Sequence, residues 1–409
     1  MSITMPAPSS PPSASLVIVT VSGPDRPGIT ARLTGILVQM GAALLDIEQV
    51  VVLKHLTLGM LIGIQEDRGV LKELLFAAKE LGMSLDFNPV EARGASPAKR
   101  APRYVVTAIG NTLGAAEMHA LSTLLAEYHA NIAKISRLSH GELRSIEVHV
   151  DLAEGEDPAP LKEALLRLGM NGSVDIALQR DGIFRRSKRL VVMDMDSTLI
   201  SIEVIDELAR AHGVLEQVSA VTEQAMAGEI EYDESLRRRL ALLKGLDVSV
   251  LKRIASELPL TEGAERLIRA LKRLGYRTAV ISGGFSVATD MLKAQLGIDY
   301  AYSNTLEIKD GKLTGRVSGA IVNARRKAEL LETIAQSEGV LLDQVIAVGD
   351  GANDLLMLER AGLGIAFRAK PKLRAAADTS ISAGGLDSIL YLLGLNAQEV
   401  DEVLAPPDT

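Results

Sequence analysis

Val191-Val192-Met193-Asp194-Met195-Asp196-Ser197-Thr198 is the stretch on which the fold turns. A short apolar run stops abruptly at two carboxylates one residue apart, followed by two hydroxyl side chains. Such a run reads as a buried strand. From residue 188 onward the chain alternates short β-branched strands with helical stretches, as a parallel α/β sheet requires. Residues 190–193, 277–281 and 345–348 are the clearest strands. In an open parallel sheet, ligands bind beyond the carboxyl ends of the strands, which is where Asp194 and Asp196 fall. Taken alone, the pair also fits a strand-ending turn with Asp as a helix cap.

Two further strand ends carry the reading toward chemistry. Residues 277–281 end in Ser282-Gly283-Gly284, a hydroxyl and free backbone N–H groups suited to an anionic oxygen. Residues 345–348 end in Gly349-Asp350-Gly351-Ala352-Asn353-Asp354, two carboxylates and an amide on a tight turn that glycine permits. Lys327 stands ahead of that third strand, in Arg325-Arg326-Lys327. A lone lysine there would ordinarily be solvated. Acid pair, hydroxyl with glycines, lysine and acidic loop, in that order, form a set that chance rarely assembles. Residues 202–260 are mostly helical and charged, too long for one crossover, and are expected to form a helical cap. Asp310-Gly311, between residues 306–308 and 313–317, reads as a hairpin turn.

Working outward, residues 16–21, 44–53, 56–65 and 84–90 read as strands, and 29–40 and 70–81 as helices. Asp25-Arg26-Pro27-Gly28 falls in a loop, read from Gly23 on, between the first strand and the first helix. That is a β-α-β-β-α-β order of ferredoxin type. The order recurs with strands at 104–108, 133–138, 144–151 and 173–178 and helices at 115–128 and 161–168. Asp25-x-x-Gly28 is matched by Asn111-x-x-Gly114, and Leu81-Gly82-Met83 by Leu168-Gly169-Met170, at offsets of 86 and 87 residues. The expected domains are therefore 15–93, 103–180 and 185–400, the last with its cap at about 202–260. A linker is expected at 94–102, a disordered start at 1–14 and a frayed tail at 405–409.

Composition removes several function classes. The chain has 409 residues, 47% hydrophobic and 23% charged, with a formal net charge of −8. An acidic balance with 3% aromatics and no Trp argues against nucleic-acid binding. The absence of Cys excludes a disulfide framework, a thiolate zinc site and a cysteine nucleophile. All 6 histidines lie outside the motifs, which leaves no candidate for a histidine nucleophile. No apolar run approaches a membrane span, and residues 1–13 lack the basic start of a secretory signal. The expectation is a cytoplasmic multidomain protein.

The motifs from about residue 186 to 395 resemble those of the haloacid-dehalogenase superfamily. The resemblance implies a Rossmann-like parallel sheet with an inserted helical cap, behind two βαββαβ domains. It implies that Asp194 is the nucleophile and forms an aspartyl-phosphate, which divides one difficult displacement into two. By the same resemblance Asp196 protonates the leaving oxygen and later activates water. Ser282, Gly283, Lys327 and Asn353 attend the phosphoryl group. Mg2+ is held by Asp194, by Asp350 and by the Asp196 backbone carbonyl, with Asp354 behind. The implied substrate is O-phospho-L-serine, hydrolysed at the last step of serine biosynthesis. Glu203, nine residues beyond Asp194, takes its ammonium, and Arg239 takes its carboxylate. Read without the resemblance, Arg237-Arg238-Arg239 is a solvated basic face. Met226 and Tyr232 are expected to line the cap with apolar surface. A broader phosphatase or phosphotransferase and a catalytically dead amino-acid sensor are the rivals.

The two front domains resemble the ACT domain, a small amino-acid-binding regulatory module. Asp25-Arg26-Pro27-Gly28 matches its ligand loop only at the Pro-Gly step, and the second copy has Asn111 but no proline there. The resemblance implies a serine effector at Asp25, Gly28, Asn111 or Gly114, and a homodimer. Plain dimerisation modules are the other reading.

Overall fold

The computed structural model describes residues 15–64, 69–90, 103–111, 113–140, 144–153, 155–171, 174–382 and 384–405. The expected linker at 94–102, the disordered start at 1–14 and positions 406–409 of the tail fall outside the described residues. The chain divides into two compact units, Met1–Lys99 and Arg100–Thr409.

The first unit contains β1 (Ser15–Pro24), α1 (Ile29–Gln39), β2 (Ala43–Val52), β3 (His55–Ile64), α2 (Gly69–Glu80) and β4 (Ser84–Val90). Its antiparallel sheet has the order β2-β3-β1-β4. Alternate residues Val17, Val19 and Val21 bury against Leu33, Ile36 and Leu37 of α1 and Leu74 of α2. The first strand is longer than the sequence suggests. Gly23 and Pro24 still pair with Leu56 and His55, so the loop opens only at Asp25.

The second unit begins with the same order: β5 (Arg103–Gly110), α3 (Ala115–Glu127), β6 (Asn131–Arg137), β7 (Ser145–Asp151), α4 (Pro158–Asn171) and β8 (Val174–Arg180). Its sheet runs β6-β7-β5-β8, the equivalent topology. After α5 (Ile183–Arg186) comes β9 (Leu190–Met193). Four helices follow: α6 (Val204–His212), α7 (Leu215–Met226), α8 (Tyr232–Leu242) and α9 (Val248–Ser256). They leave and rejoin the main domain at one point, where Ile200 bridges Leu260. The chain continues through α10 (Ala264–Arg273), β10 (Arg277–Phe285), α11 (Ser286–Leu296), β11 (Tyr300–Lys309), β12 (Lys312–Ser318) and α12 (Ala324–Ser337). It ends with β13 (Val345–Gly349), α13 (Leu355–Arg360), β14 (Leu363–Phe367), α14 (Pro371–Ala376), β15 (Thr379–Ile381), α15 (Ile389–Leu392) and α16 (Ala397–Leu404).

These strands form a seven-stranded sheet of order β12-β11-β10-β9-β13-β14-β15. Only the hairpin strand β12 is antiparallel to its neighbour, and its turn has positive φ at both Asp310 and Gly311. All four residues of β9 are fully buried, because helices cover both faces of a parallel sheet. The amphipathic α10 shows the matching pattern, burying Ala264, Leu267, Ile268 and Leu271 at helical spacing. The second βαββαβ sheet packs on this domain through β8. Ser382 N donates to Asp175 Oδ2 at 2.7 Å, and Gln179 Nε2 donates to the Leu392 carbonyl at 3.0 Å. Among the described residues, no helix is long and apolar enough to cross a membrane.

Candidate active site

Three adjacent strands bring the three sequence motifs together. Met193 of β9 pairs in parallel register with Val280 of β10 on one side and Val348 of β13 on the other. Asp194, Ser282 and Asp350 therefore emerge side by side, one or two residues beyond that common row. After β9 the chain adds β10 and β11 on one side and only later β13 on the other, so the strand order reverses at β9, the place where open α/β sheets bind ligands. Asp194 is held rigidly there: its backbone N donates to the Val348 carbonyl at 2.9 Å, and its Oδ1 accepts from Met195 N at 2.7 Å.

The next residues turn back sharply. Ser197 has φ 55, a left-handed conformation that a serine adopts only where its surroundings enforce it. The turn points the Asp196 carboxylate inward, where Oδ1 accepts from Val204 N at 2.9 Å and Oδ2 from the Ser282 hydroxyl at 3.3 Å. Burial first, and then the Glu203 and Asp194 carboxylates, push Asp196 well above the usual carboxylate range. The Ser197 hydroxyl donates to Glu203 Oε1 at 2.7 Å, which places Glu203 at the entrance of the cap.

Lys327 sits one turn into α12, which is capped by Asn323 accepting from Arg326 N. It is completely buried, not solvated. Its Nζ lies 2.7 Å from Asp194 Oδ2 and 2.7 Å from Asp354 Oδ1. Burial works to neutralise the amine, but the two carboxylates outweigh it and hold Lys327 above its ordinary value. Asp354 also accepts from Gly351 N at 3.1 Å. Asn353 folds its side-chain oxygen over Gly351, where a Cβ would collide with it.

Carboxylate oxygens of Asp194, Asp350 and Asp354 all lie within 4.8 Å of one another. Burial, and then Asp194, Asp354 and Glu203, push Asp350 up to about 8. Such crowding is relieved by a cation, and an all-oxygen donor set suits a hard divalent one. The residues present fit a metal ion. Asp354 stands within this acidic cluster, although each of its oxygens already has a protein partner. The Asp196 side chain is not part of it.

The cap supplies Arg239 from α8. Arg237 and Arg238 are exposed, and Arg238 pairs with Glu234, whereas Arg239 is half-buried. The Arg239 charge acts on Asp206 and Tyr232. Of the two residues expected to line the cap, Met226 is 63% exposed, with its sulfur 3.7 Å from Lys370 Nζ. Tyr232 turns its hydroxyl against Gly283 instead of a plain ring face. The expected effector residues lie elsewhere. Asp25 and Gly28 occupy the β1–α1 loop of the first unit, and Asn111 and Gly114 the β5–α3 loop of the second.

The site holds further residues that the sequence does not single out. The Thr198 hydroxyl donates to Asp350 Oδ1 at 3.2 Å. Buried Asn304 donates to the Gly283 carbonyl at 2.7 Å and accepts from Val322 N at 2.8 Å. Thr198 lies within the quoted motif and was available as the hydroxyl after the acid pair. Nothing in the local pattern around Asn304 marks it.

Comparison with known proteins decides the family. Residues 188–362 match the haloacid dehalogenase-like hydrolase model, and residues 15–88 and 103–179 match ACT domain models. The phosphoserine phosphatase of Streptomyces coelicolor is 44% identical over 387 residues, covering 94% of this chain and 93% of that protein. This chain belongs to the phosphoserine phosphatase family of haloacid dehalogenase-like hydrolases. Another member, from Mycobacterium tuberculosis, is 42% identical over 95% of this chain and 96% of its own length. Among solved structures, a probable phosphoserine phosphatase from Vibrio cholerae in unliganded form superposes with a TM-score of 0.56 at 36% identity, covering 75% of this chain and 91% of that one. A haloacid dehalogenase-family hydrolase from Salmonella enterica serovar Typhi gives a TM-score of 0.62 at 32% identity, over 71% of this chain and 98% of that one. The family's two kinds of module, the ACT pair and the hydrolase, correspond to the two βαββαβ sheets and the seven-stranded sheet.

Proposed function

We propose that this chain hydrolyses O-phospho-L-serine to L-serine and phosphate through an aspartyl-phosphate on Asp194. The observation that carries the reading is the Asp194 carboxylate at the central strand end, in contact with the buried Lys327 ammonium and flanked by Asp196 and Ser282. In the first step an Asp194 oxygen attacks phosphorus and the ester bond breaks. Asp196, kept protonated by burial and neighbouring carboxylates, gives its proton to the departing serine oxygen. In the second step a water oxygen attacks phosphorus, Asp196 takes the water proton, and the Asp194–phosphorus bond breaks to release phosphate. Lys327 stays protonated throughout and draws phosphoryl charge toward itself. Ser282 and the Gly283 backbone hold phosphoryl oxygens, with Asn353 beside them.

Asp194, Asp350 and the Asp196 carbonyl would hold Mg2+, with Asp354 behind them. When bound, the ion supplies positive charge that offsets repulsion between the phosphoryl group and Asp194. Glu203 takes the substrate ammonium and Arg239 its carboxylate. The division into residues 15–93, 103–180 and 185–400 assigns amino-acid sensing to the first two parts and chemistry to the third. Serine binding at Asp25, Gly28, Asn111 or Gly114 adjusts the rate of a cytoplasmic homodimer acting at the last step of serine biosynthesis. Close relatives named phosphoserine phosphatase support this substrate.

The test is phosphate release from L-phosphoserine with Mg2+ and with EDTA, set beside phosphothreonine and p-nitrophenyl phosphate. Release that needs Mg2+ and prefers phosphoserine is expected. Release persisting after chelation overturns the metal assignment, and equal efficiency on all three esters overturns the substrate assignment.

A further inference from the structure

Tyr232 opens α8, the cap helix, and its hydroxyl reaches Gly283 of β10. Its Oη lies so close over Gly283 that a Cβ there would collide with it. Gly283 neighbours Ser282 on β10, and its carbonyl is fixed by the amide of buried Asn304. The helix that carries Tyr232 is fixed as well. Asp233, the next residue, accepts from Asn323 Nδ2 at 3.1 Å, and Asn323 caps the helix carrying Lys327. The phenol thus lies against the second-motif backbone, on a helix whose first turn is tied to the start of the lysine helix. Among the described residues, no group takes its proton in a hydrogen bond.

The charges acting on that oxygen locate it further. Lys327 has the largest effect of any charged group, followed by Arg239, Asp194 and Asp196. Burial nevertheless dominates and pushes the phenol up to about 12, so it is a neutral donor near pH 7. A neutral donor facing a strongly anionic group adds a charge-assisted hydrogen bond without adding a countercharge.

We propose that Tyr232 is a substrate-binding residue whose hydroxyl donates a hydrogen bond to a phosphoryl oxygen, delivered from the cap onto the Ser282-Gly283 step. The assignment rests on the phosphatase reading above. Placement over Gly283, with Lys327 as the foremost charge, favours the phosphoryl end over the carboxylate that Arg239 serves. The contact also links the cap to catalysis, because the cap contributes a donor to the group being transferred. A Cβ on the residue after Ser282 would meet the phenol oxygen, so a side chain there would have to displace Tyr232.

The experiment compares wild type and Tyr232→Phe, both as the full chain, on L-phosphoserine and on p-nitrophenyl phosphate. Binding of inorganic phosphate is measured alongside by titration. A hydrogen bond to a charged acceptor predicts that kcat/KM falls about ten- to a hundredfold. The loss should be equal on both esters, and phosphate should bind more weakly in the variant. Unchanged kcat/KM on both esters overturns the proposal. A loss confined to phosphoserine also overturns it, because the phenol would then serve the carboxylate. A wild type that cleaves p-nitrophenyl phosphate but not phosphoserine defeats the substrate assignment alone. The Tyr232 contact would still be judged on the other ester and on phosphate.

Discussion

Lys327 bridges Asp194 and Asp354 through one buried ammonium, 2.7 Å from an oxygen of each. A single cation thereby aligns the candidate nucleophile with the acidic loop after β13. Replacing it with methionine leaves two buried carboxylates without their partner. Breaking a buried pair from one side typically costs about 3–5 kcal/mol. Lys327→Met should therefore lower stability by that order in urea titrations and reduce kcat about a hundred- to a thousandfold. Adding Asp354→Asn should restore part of the stability and none of the activity. A single variant as stable as wild type would show that the bridge contributes nothing net.

Asp196 differs from Asp194 in its environment, and the difference gives a separate prediction. Its carboxylate touches Val204 N and the Ser282 hydroxyl, and burial keeps it protonated. A proton donor matters most for a poor leaving group such as an alkoxide. Asp196→Asn should abolish turnover of phosphoserine, yet give a stoichiometric burst of p-nitrophenolate followed by a stall, because no base then activates water. Rapid mixing with absorbance detection reads this directly. Steady turnover without a burst would remove Asp196 from the second step.

The quoted octapeptide made the central strand and its acid pair legible because strand ending and carboxylates are local in sequence. Ser282 and Asp350 followed because parallel pairing carries adjacent strand ends to one edge. Lys327 needed the family pattern, since three basic residues in a row look solvated until the fold buries one of them. Asn304 and the Tyr232 hydroxyl were not legible: each acts through a partner, Gly283, that only tertiary packing supplies. The same holds for β10. Its register is broken between Ile281 and Phe285, so glycines that read as a strand terminator lie within the strand. The short strands β14 and β15, at the sheet edge, carry too few residues for the alternation to mark them.

Glu147 on β7 and Arg185 on α5 form an ion pair with both side chains at most 3% exposed. The pair ties the second βαββαβ sheet to the segment that leads into β9. Glu147→Ala would strand the buried guanidinium and should destabilise the second unit by about 3–5 kcal/mol. Because neither residue belongs to the candidate active site, kcat at 25 °C should stay within about twofold of wild type, in line with the independence of distant sites. Thermal unfolding paired with initial rates makes the check. A large fall in kcat without a fall in stability would instead mean that this contact transmits to the catalytic groups.

Asp299 gives the pH dependence a sign. It follows α11 and faces β10, where its Oδ2 accepts from Thr278 N at 2.8 Å and from the Thr278 hydroxyl at 3.0 Å. Lys272 Nζ lies 2.7 Å from Oδ1. Burial alone would raise this carboxyl, but Lys272 and Thr278 together hold it below its ordinary value of 3.8. A carboxyl depressed by folding stabilises the native state fully above its unfolded value, and loses that contribution as pH falls through the folded one. Asp299→Asn should thus cost about 1–3 kcal/mol near pH 6, and the gap from wild type should narrow only below about pH 4. Urea titrations at pH 6, 5, 4 and 3.5 would trace it. A gap that stays constant over this range would mean that hydrogen-bond geometry, which the amide changes equally at every pH, outweighs the charge on Asp299.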